Sequence, residues 1–268
     1  MRVREEIGEA ASGGCVGPVE DGQGRQEAAW APSEEEGMIP VLDRGYVRLV
    51  DHMGTDLTVV NAARCSYAKE SSLGPSGLMD NKDVRLIHYL VSHGHTTPLR
   101  HCFCTFEVKA PLMVARQWWR YVVGSDHTMD GWNEQSRRYV TAEPEFYVPT
   151  EWRGKSTKDK QGSDLPLGYT DSCELDEWMR DAISTGVASY EAALEMGVTP
   201  EQARLFLPAY AMYTTWRWSA SLQSVTHFLK ERLDEHAQWE IRQYATAVRC
   251  LVTPRFPETI AAVLGEID

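Results

Sequence analysis

Hydrophobic spacing changes period along this chain, and that change constrains the fold more than any other feature. In the first half, short runs alternating with period two lie between stretches with helical spacing. Val47-Arg48-Leu49-Val50 alternates after Gly45, and Cys102 to Val108 reads as a strand with Cys102 and Cys104 on one face. Asp56 to Arg64, apolar at Leu57, Val60 and Ala63, predicts a short helix. Val84, Ile87, Leu90 and Val91 predict another, ended by Gly94 and Pro98. Pro111 suits the first position of a helix with Leu112, Ala115 and Trp119 on one side. Tyr139-Val140 and Phe146-Tyr147-Val148 read as short strands, and residues 151–170 as a long polar surface loop. The C-terminal half reads as helical. One helix runs from about Leu175 to Gly197, a capping box follows at Thr199-Pro200-Glu201-Gln202, and two longer helices cover Trp216–Leu233 and Asp234–Val252. The expected class is α+β in a single domain, with a small sheet, packed helices and a mostly helical C-terminal half.

Charge sharpens this picture. The 268 residues include 27 Lys+Arg and 39 Asp+Glu, a formal net charge of −12. Residues 1–37 carry nine acidic and three basic side chains and few large apolar ones. They read as a disordered or loosely packed acidic extension, with the folded domain over 38–268. The acidic surplus excludes a protein that coats nucleic acid, because that work needs basic surface. A small phosphorylated ligand held by a local arginine cluster stays compatible. No run is apolar and long enough to span a membrane, and the first thirty residues lack the apolar core of a signal peptide, so the cytoplasm is expected. The six cysteines form no Cys-x-x-Cys pair, which predicts reduced thiols, with Cys102 and Cys104 in the core.

Three segments concentrate chemistry. Arg116 and Arg120 stand four apart on an expected helix, where like charges repel by a few tenths of a kcal/mol and an anion would relieve them. Asn133-Glu134-Gln135-Ser136-Arg137-Arg138-Tyr139 packs donors, acceptors and two cations together. Arg232, His236 and Glu240 form an i, i+4, i+8 stripe that fits a salt-bridge ladder; one His and one Glu do not complete a metal site, so no metal is assigned. Arg204, just after a helix start, is a further candidate anion ligand. Dinucleotide-fold, P-loop, nucleophile-elbow and His-Glu-x-x-His signatures are missing.

Ordered together, four blocks resemble the flavin-dependent thymidylate synthases. They are His93-Gly94-His95-Thr96-Thr97-Pro98, Lys109-Ala110-Pro111 with Ala115-Arg116-Gln117-Trp118, Asn133 to Tyr139, and His236-Ala237-Gln238-Trp239-Glu240. The match runs from about Met38 to Val252. It implies a homotetramer of α+β subunits in which FAD and a uridine monophosphate bind where subunits meet. It also implies methylenetetrahydrofolate as one-carbon donor to C5 of the pyrimidine and NADPH as reductant. By the same resemblance, Gln117, Arg120, Glu134, Gln135, Ser136, Arg137, Arg138 and Arg204 bind the nucleotide. Arg232 lies beside the pyrimidine as the catalytic cation. His95, Thr97, Arg120, Tyr121, Val122, Ser221, Gln223 and His227 fall at flavin-side positions. No cysteine lies in these blocks, which suits chemistry driven by a flavin rather than by a thiol nucleophile.

The chain departs from that pattern on the flavin side. Tyr121 and Val122 follow Arg120 where the family has Arg-His-Arg, and twelve residues separate Arg120 from Asn133, so 124–132 reads as an insertion. Ser221, Gln223 and His227 stand where Asn, Arg and Asn are typical, and Arg100 where an acidic residue is common. Losing a charged flavin contact costs about 1.5–3 kcal/mol if nothing replaces it, which predicts weaker FAD retention. Some divergent relatives, in polyoxin-type nucleoside antibiotic pathways, methylate UMP rather than dUMP, and the altered rim favours UMP here. Ordinary conversion of dUMP to dTMP is the alternative. Two further readings are a nucleotide- or flavin-binding regulator without chemistry and a structural helical partner.

Overall fold

The computed structural model describes residues 37–123, 130–136, 143–156 and 163–265. Expectations for residues 1–36, for Tyr139-Val140, for Arg137 and Arg138 and for most of the 124–132 insertion lie outside them, as does the side chain of Val122. In chain order the elements are β1 (Met38–Val41), β2 (Gly45–Met53), α1 (Asp56–Arg64), α2 (Asn81–Ser92), β3 (Phe103–Pro111) and α3 (Leu112–Val123). Next come β4 (Gly131–Glu134), β5 (Arg153–Lys155), β6 (Ser163–Pro166), α4 (Tyr169–Glu195) and α5 (Pro200–Ala203). The chain closes with β7 (Tyr213–Ser221), α6 (Leu222–Arg232), α7 (Trp239–Val252) and α8 (Pro257–Leu264). The class is α+β, as the sequence predicts.

Five strands form one antiparallel sheet in the order β1-β2-β3-β7-β4. Alternation on β3 sends Cys104, Phe106, Val108 and Ala110 to one face, where Trp216, Trp218 and Ala220 of β7 join them. Helices α3, α6 and α7 cover that face with Val114, Trp118, Val225, Phe228, Ile241 and Tyr244. On the opposite face Glu107 accepts hydrogen bonds from Tyr46 at 3.1 Å and Arg48 at 2.9 Å, with Arg217 3.4 Å away. Burial pushes the Glu107 carboxyl up, but these three neighbours outweigh it and hold it below its ordinary value. Gly45 is required where β2 crosses α7, since a Cβ there would meet the Tyr244 hydroxyl and the carbonyls of Lys109 and Val41.

Six expectations are corrected. Pro111 ends β3, paired with Tyr213, and α3 starts one residue later with its first N–H groups donating to Met212 and Tyr210. Its apolar side presents Val114, Ala115 and Trp118, while Trp119 is 39% exposed. The segment Trp216–Leu233 is not one helix: Tyr213–Ser221 alternates as a strand that runs into α6 without a loop. The helix breaks at Leu233–Gln238, so Arg232, His236 and Glu240 share no helical face. Residues 151–170 include the β5–β6 hairpin, and Thr199 makes no side-chain cap bond. No helix among the described residues is long and apolar enough to cross a membrane.

Asp56, 4% exposed, ties the two ends of the fold together. Its carboxylate accepts from the N–H groups of Glu258 (2.8 Å) and Thr259 (3.1 Å) and from the Thr259 hydroxyl (2.5 Å), capping α8 from 202 residues away. Asp56→Ala leaves those donors without a partner and is expected to lower unfolding stability by about 2 kcal/mol in denaturant titrations. A change below about 0.5 kcal/mol contradicts the capping role.

Candidate active site

Aromatic packing sets the position of the first group of site residues. Trp118 of α3 stacks on Phe228 of α6 with ring centroids 4.4 Å apart and meets Trp216 and Trp218 edge-on. One turn further along each helix come Tyr121 and Arg232. The Arg232 guanidinium lies over the Tyr121 ring, 5.0 Å from its centroid, and the ring also meets Phe228 edge-on and His227 at 5.5 Å. Burial raises the Tyr121 hydroxyl above its ordinary value, so it stays protonated at neutral pH. The Nε of Arg232 is buried without a hydrogen-bond partner among the described residues. Arg120, beside Tyr121, is exposed.

A second group lines a cleft of about 590 Å³ at the end of β3, β7 and β4. Glu134, Gln135 and Arg204 meet there with Arg44, Lys109, Glu145 and Tyr213. Glu134 accepts from the Thr214 hydroxyl at 2.7 Å, and the Gln135 N–H donates to Thr215 O at 2.8 Å. Arg204 is half-buried on the 3-10 turn after α5 and donates from Nε to Pro200 O at 3.2 Å. Ser136 follows Gln135, half-buried. Sequence reasoning missed Arg44 and Lys109. Lys109 stands in a recognised block, but only its place on β3, alternate to Val108 and Ala110, turns it toward this cleft. Glu145 pairs with Lys109 and approaches Arg44 at 3.9 Å. Tyr213 donates to Asp43 at 2.6 Å, and burial first, then that carboxylate, holds its hydroxyl far above the ordinary range.

His95 and Thr97 line a third place, a cleft of about 420 Å³ walled by Tyr67, Leu86, Tyr89 and Leu90, with Pro98 and His101 beside them. Of the expected α6 contacts, Ser221 is 2% exposed and its hydroxyl accepts from Ser224 N at 3.2 Å as the helix cap. Gln223 accepts from Arg100 Nε at 2.8 Å, which links α6 to the 97–101 turn. His227 is exposed on the same helix. The expected residues therefore form three separate groups in one chain.

Two motif blocks do meet directly. Gln117 donates its amide to Gln238 Oε1 at 2.5 Å and to Met113 O at 3.3 Å. Two residues on, Glu240 is 5% exposed and pairs with Arg153, whose guanidinium lies 4.9 Å from the Trp239 ring centroid. Glu240 is thus a structural anion. Among the described residues, no three His, Cys, Asp or Glu side chains are grouped to hold a metal. Cys102 and Cys104 are fully buried; burial pushes both thiols up to about 12, so neither is a thiolate at neutral pH.

Residues 48–258 match the family described as thymidylate synthase complementing protein. A flavin-dependent thymidylate synthase of Thermosipho africanus is 40% identical over 228 residues, covering 84% of this chain and 92% of that one. That of Thermus thermophilus is 42% identical over 224 residues, covering 84% and 77%. Among solved structures, a UMP/dUMP methylase, PolB from Streptomyces cacaoi bound with 5-Br UMP, is similar with TM-score 0.67 and 27% identity, covering 81% of this chain and 92% of that one. The same methylase bound with 5-Br dUMP is similar to the same extent, at 28% identity. Family match, identity and shared architecture agree, and the chain belongs to the flavin-dependent thymidylate synthase family of enzymes.

Proposed function

We propose that this protein methylates C5 of a uridine monophosphate reductively, favours UMP over dUMP, and works as a cytoplasmic homotetramer with its sites between subunits. FAD is the cofactor, methylenetetrahydrofolate the one-carbon donor and NADPH the reductant. The observation that carries this reading is the 590 Å³ cleft, where Arg204, Arg44 and Lys109 bring cationic groups to residues Glu134 and Gln135 of a nucleotide motif. Arg44 and Lys109 face Glu145 there, and Arg204, whose Nε donates to the Pro200 carbonyl, is the cation offered to one phosphate, which leaves the net acidity of the chain intact. Arg137 and Arg138 add cations by resemblance and lie outside the described residues.

The 420 Å³ cleft suits a flavin. Its apolar walls match a planar ring system, His95, Thr97 and His101 offer hydrogen-bond partners, and no carboxylate lines it. The transferred carbon arrives as a methylene and leaves as a methyl, and the hydride for that reduction is what bound flavin would supply once NADPH has reduced it. The chain's own residues position and stabilise. Arg204 and its neighbours grip the phosphate; Gln117 and Arg120 orient the nucleotide. Arg232, held on Tyr121, supplies a fixed cation for charge developing on the pyrimidine. With Cys102 and Cys104 buried as neutral thiols, the reading calls for no nucleophile from either.

Assembly follows from the separation of the three groups. Helix α4 spans 27 residues and buries only Gly186 and Ala193. Tyr169, Trp178 and Met196 on and beside it, and Leu205, Phe206 and Tyr210 after it, are 55–84% exposed. A homotetramer covers such surface and joins groups from neighbouring chains. Sedimentation is expected to give four times the 30.3 kDa chain mass; a monomer contradicts the shared site.

Thr215 lines the nucleotide cleft beside Thr214, whose hydroxyl donates to Glu134, and its hydroxyl can partner a ribose 2′-OH, which supports UMP. The identity of about 40% with thymidylate synthases favours the second reading, conversion of dUMP to dTMP. Turnover measured side by side decides: UMP is expected to give the higher kcat/KM, and no turnover of UMP ends the first reading. Arg232→Ala is expected to lower kcat about 100-fold with a smaller change in nucleotide KM, and Arg232→Lys to recover part of the loss. Equal activity of Arg232→Ala and wild type contradicts the catalytic assignment.

A further inference from the structure

We propose that Arg100 is a flavin-binding residue of this protein, holding a phosphate of FAD through a cation that has moved from α6 to the 97–101 turn. The proposal rests on the flavin reading above and adds a residue that the motif comparison does not supply.

Three observations meet at Arg100. First, Arg100 sits on the 3-10 turn Thr97–His101 between Pro98 and His101, which line the 420 Å³ cleft; Arg100 itself is exposed at its edge, outside the lining. Second, Arg100 is oriented. Its Nε donates to Gln223 Oε1 at 2.8 Å across 123 residues of sequence, and this leaves the two terminal nitrogens of the guanidinium for another acceptor. Third, among the described residues Arg48, Arg64, Arg153 and Arg217 each meet a carboxylate, whereas Arg100 meets a neutral amide and no carboxylate. No acidic side chain lines the adjacent cleft.

Gln223 stands where the resemblance implies an arginine toward the flavin, and Arg100 where it implies an acid. The hydrogen bond between them turns two separate departures into one exchange. The cation sits on the turn instead of the helix, and the former acid position no longer repels a phosphate. A guanidinium fork fixed at Nε presents parallel N–H groups that suit phosphate oxygens. The exchange also offsets the weaker FAD retention expected from the glutamine alone.

The test titrates flavin-free, full-length protein with FAD and follows quenching of flavin fluorescence. Wild type is expected to bind. Arg100→Gln is expected to weaken binding at least tenfold and Arg100→Glu further, with Arg100→Lys closer to wild type. Adding Gln223→Arg to Arg100→Glu returns the cation to α6 and is expected to recover most of the affinity. That recovery separates a phosphate contact from general loss of fold, because a misfolded variant gains nothing from the second change. Arg100→Gln binding FAD within twofold of wild type overturns the assignment while leaving the flavin reading in place. Failure of the Glu/Arg double variant to improve on Arg100→Glu overturns the exchange. A wild-type protein that binds no FAD sinks the flavin reading itself, and the role of Arg100 with it.

Discussion

Stacking of Trp118 on Phe228 is the contact on which the site depends. It joins α3 to α6 over the tryptophans of β7, and both helices start directly from neighbouring antiparallel strands. Because each helix leaves its strand without a loop, sheet register fixes the helix position, and the aromatic stack fixes their approach. One turn beyond the stack, Tyr121 and Arg232 are brought together. The cation is thus placed by core packing, and it rests on a ring face rather than on a carboxylate that would neutralise it.

The same sheet separates structural from functional polarity. On its uncovered face Glu107 collects Tyr46, Arg48 and Arg217, and in the C-terminal block Glu240 pairs with Arg153. These acids have their cations. Among the described residues, the arginines given ligand-binding roles, Arg100, Arg204 and Arg232, meet neutral groups instead: an amide, a backbone carbonyl and a tyrosine ring. Cations held without an anion are prepared for one supplied by a ligand, and in a chain of net charge −12 that arrangement is local.

Much of the fold was legible where local pattern and tertiary demand agree. Helices at Asp56–Arg64 and Asn81–Ser92 and the strand at Phe103–Pro111 carry clean periods, and Cys102 and Cys104 pack as core thiols. Tyr213–Ser221 escaped because its alternation feeds straight into a helix, so its aromatic residues mimic the first turn of α6. Helical spacing alone linked Arg232, His236 and Glu240, yet the break at Leu233–Gln238 is a turn with no glycine or proline to announce it. For the candidate site, a motif block supplied Glu134 and Gln135, and Arg204 was singled out by its place just after a helix start and by the resemblance. Arg44 and Lys109 needed strand register, and Arg100 needed a contact 123 residues distant, which no local pattern encodes.

Flavin chemistry coupled to a uridylate is the central claim, and one anaerobic experiment addresses it directly. Protein loaded with FAD is bleached with NADPH, freed of excess reductant, and followed by absorbance as substrates are added. The account predicts that the yellow colour returns in a single turnover only when methylenetetrahydrofolate and a uridine monophosphate are both present, with a C5-methylated nucleotide formed in equal amount. Colour that returns regardless of the two substrates, without methylated product, would contradict it.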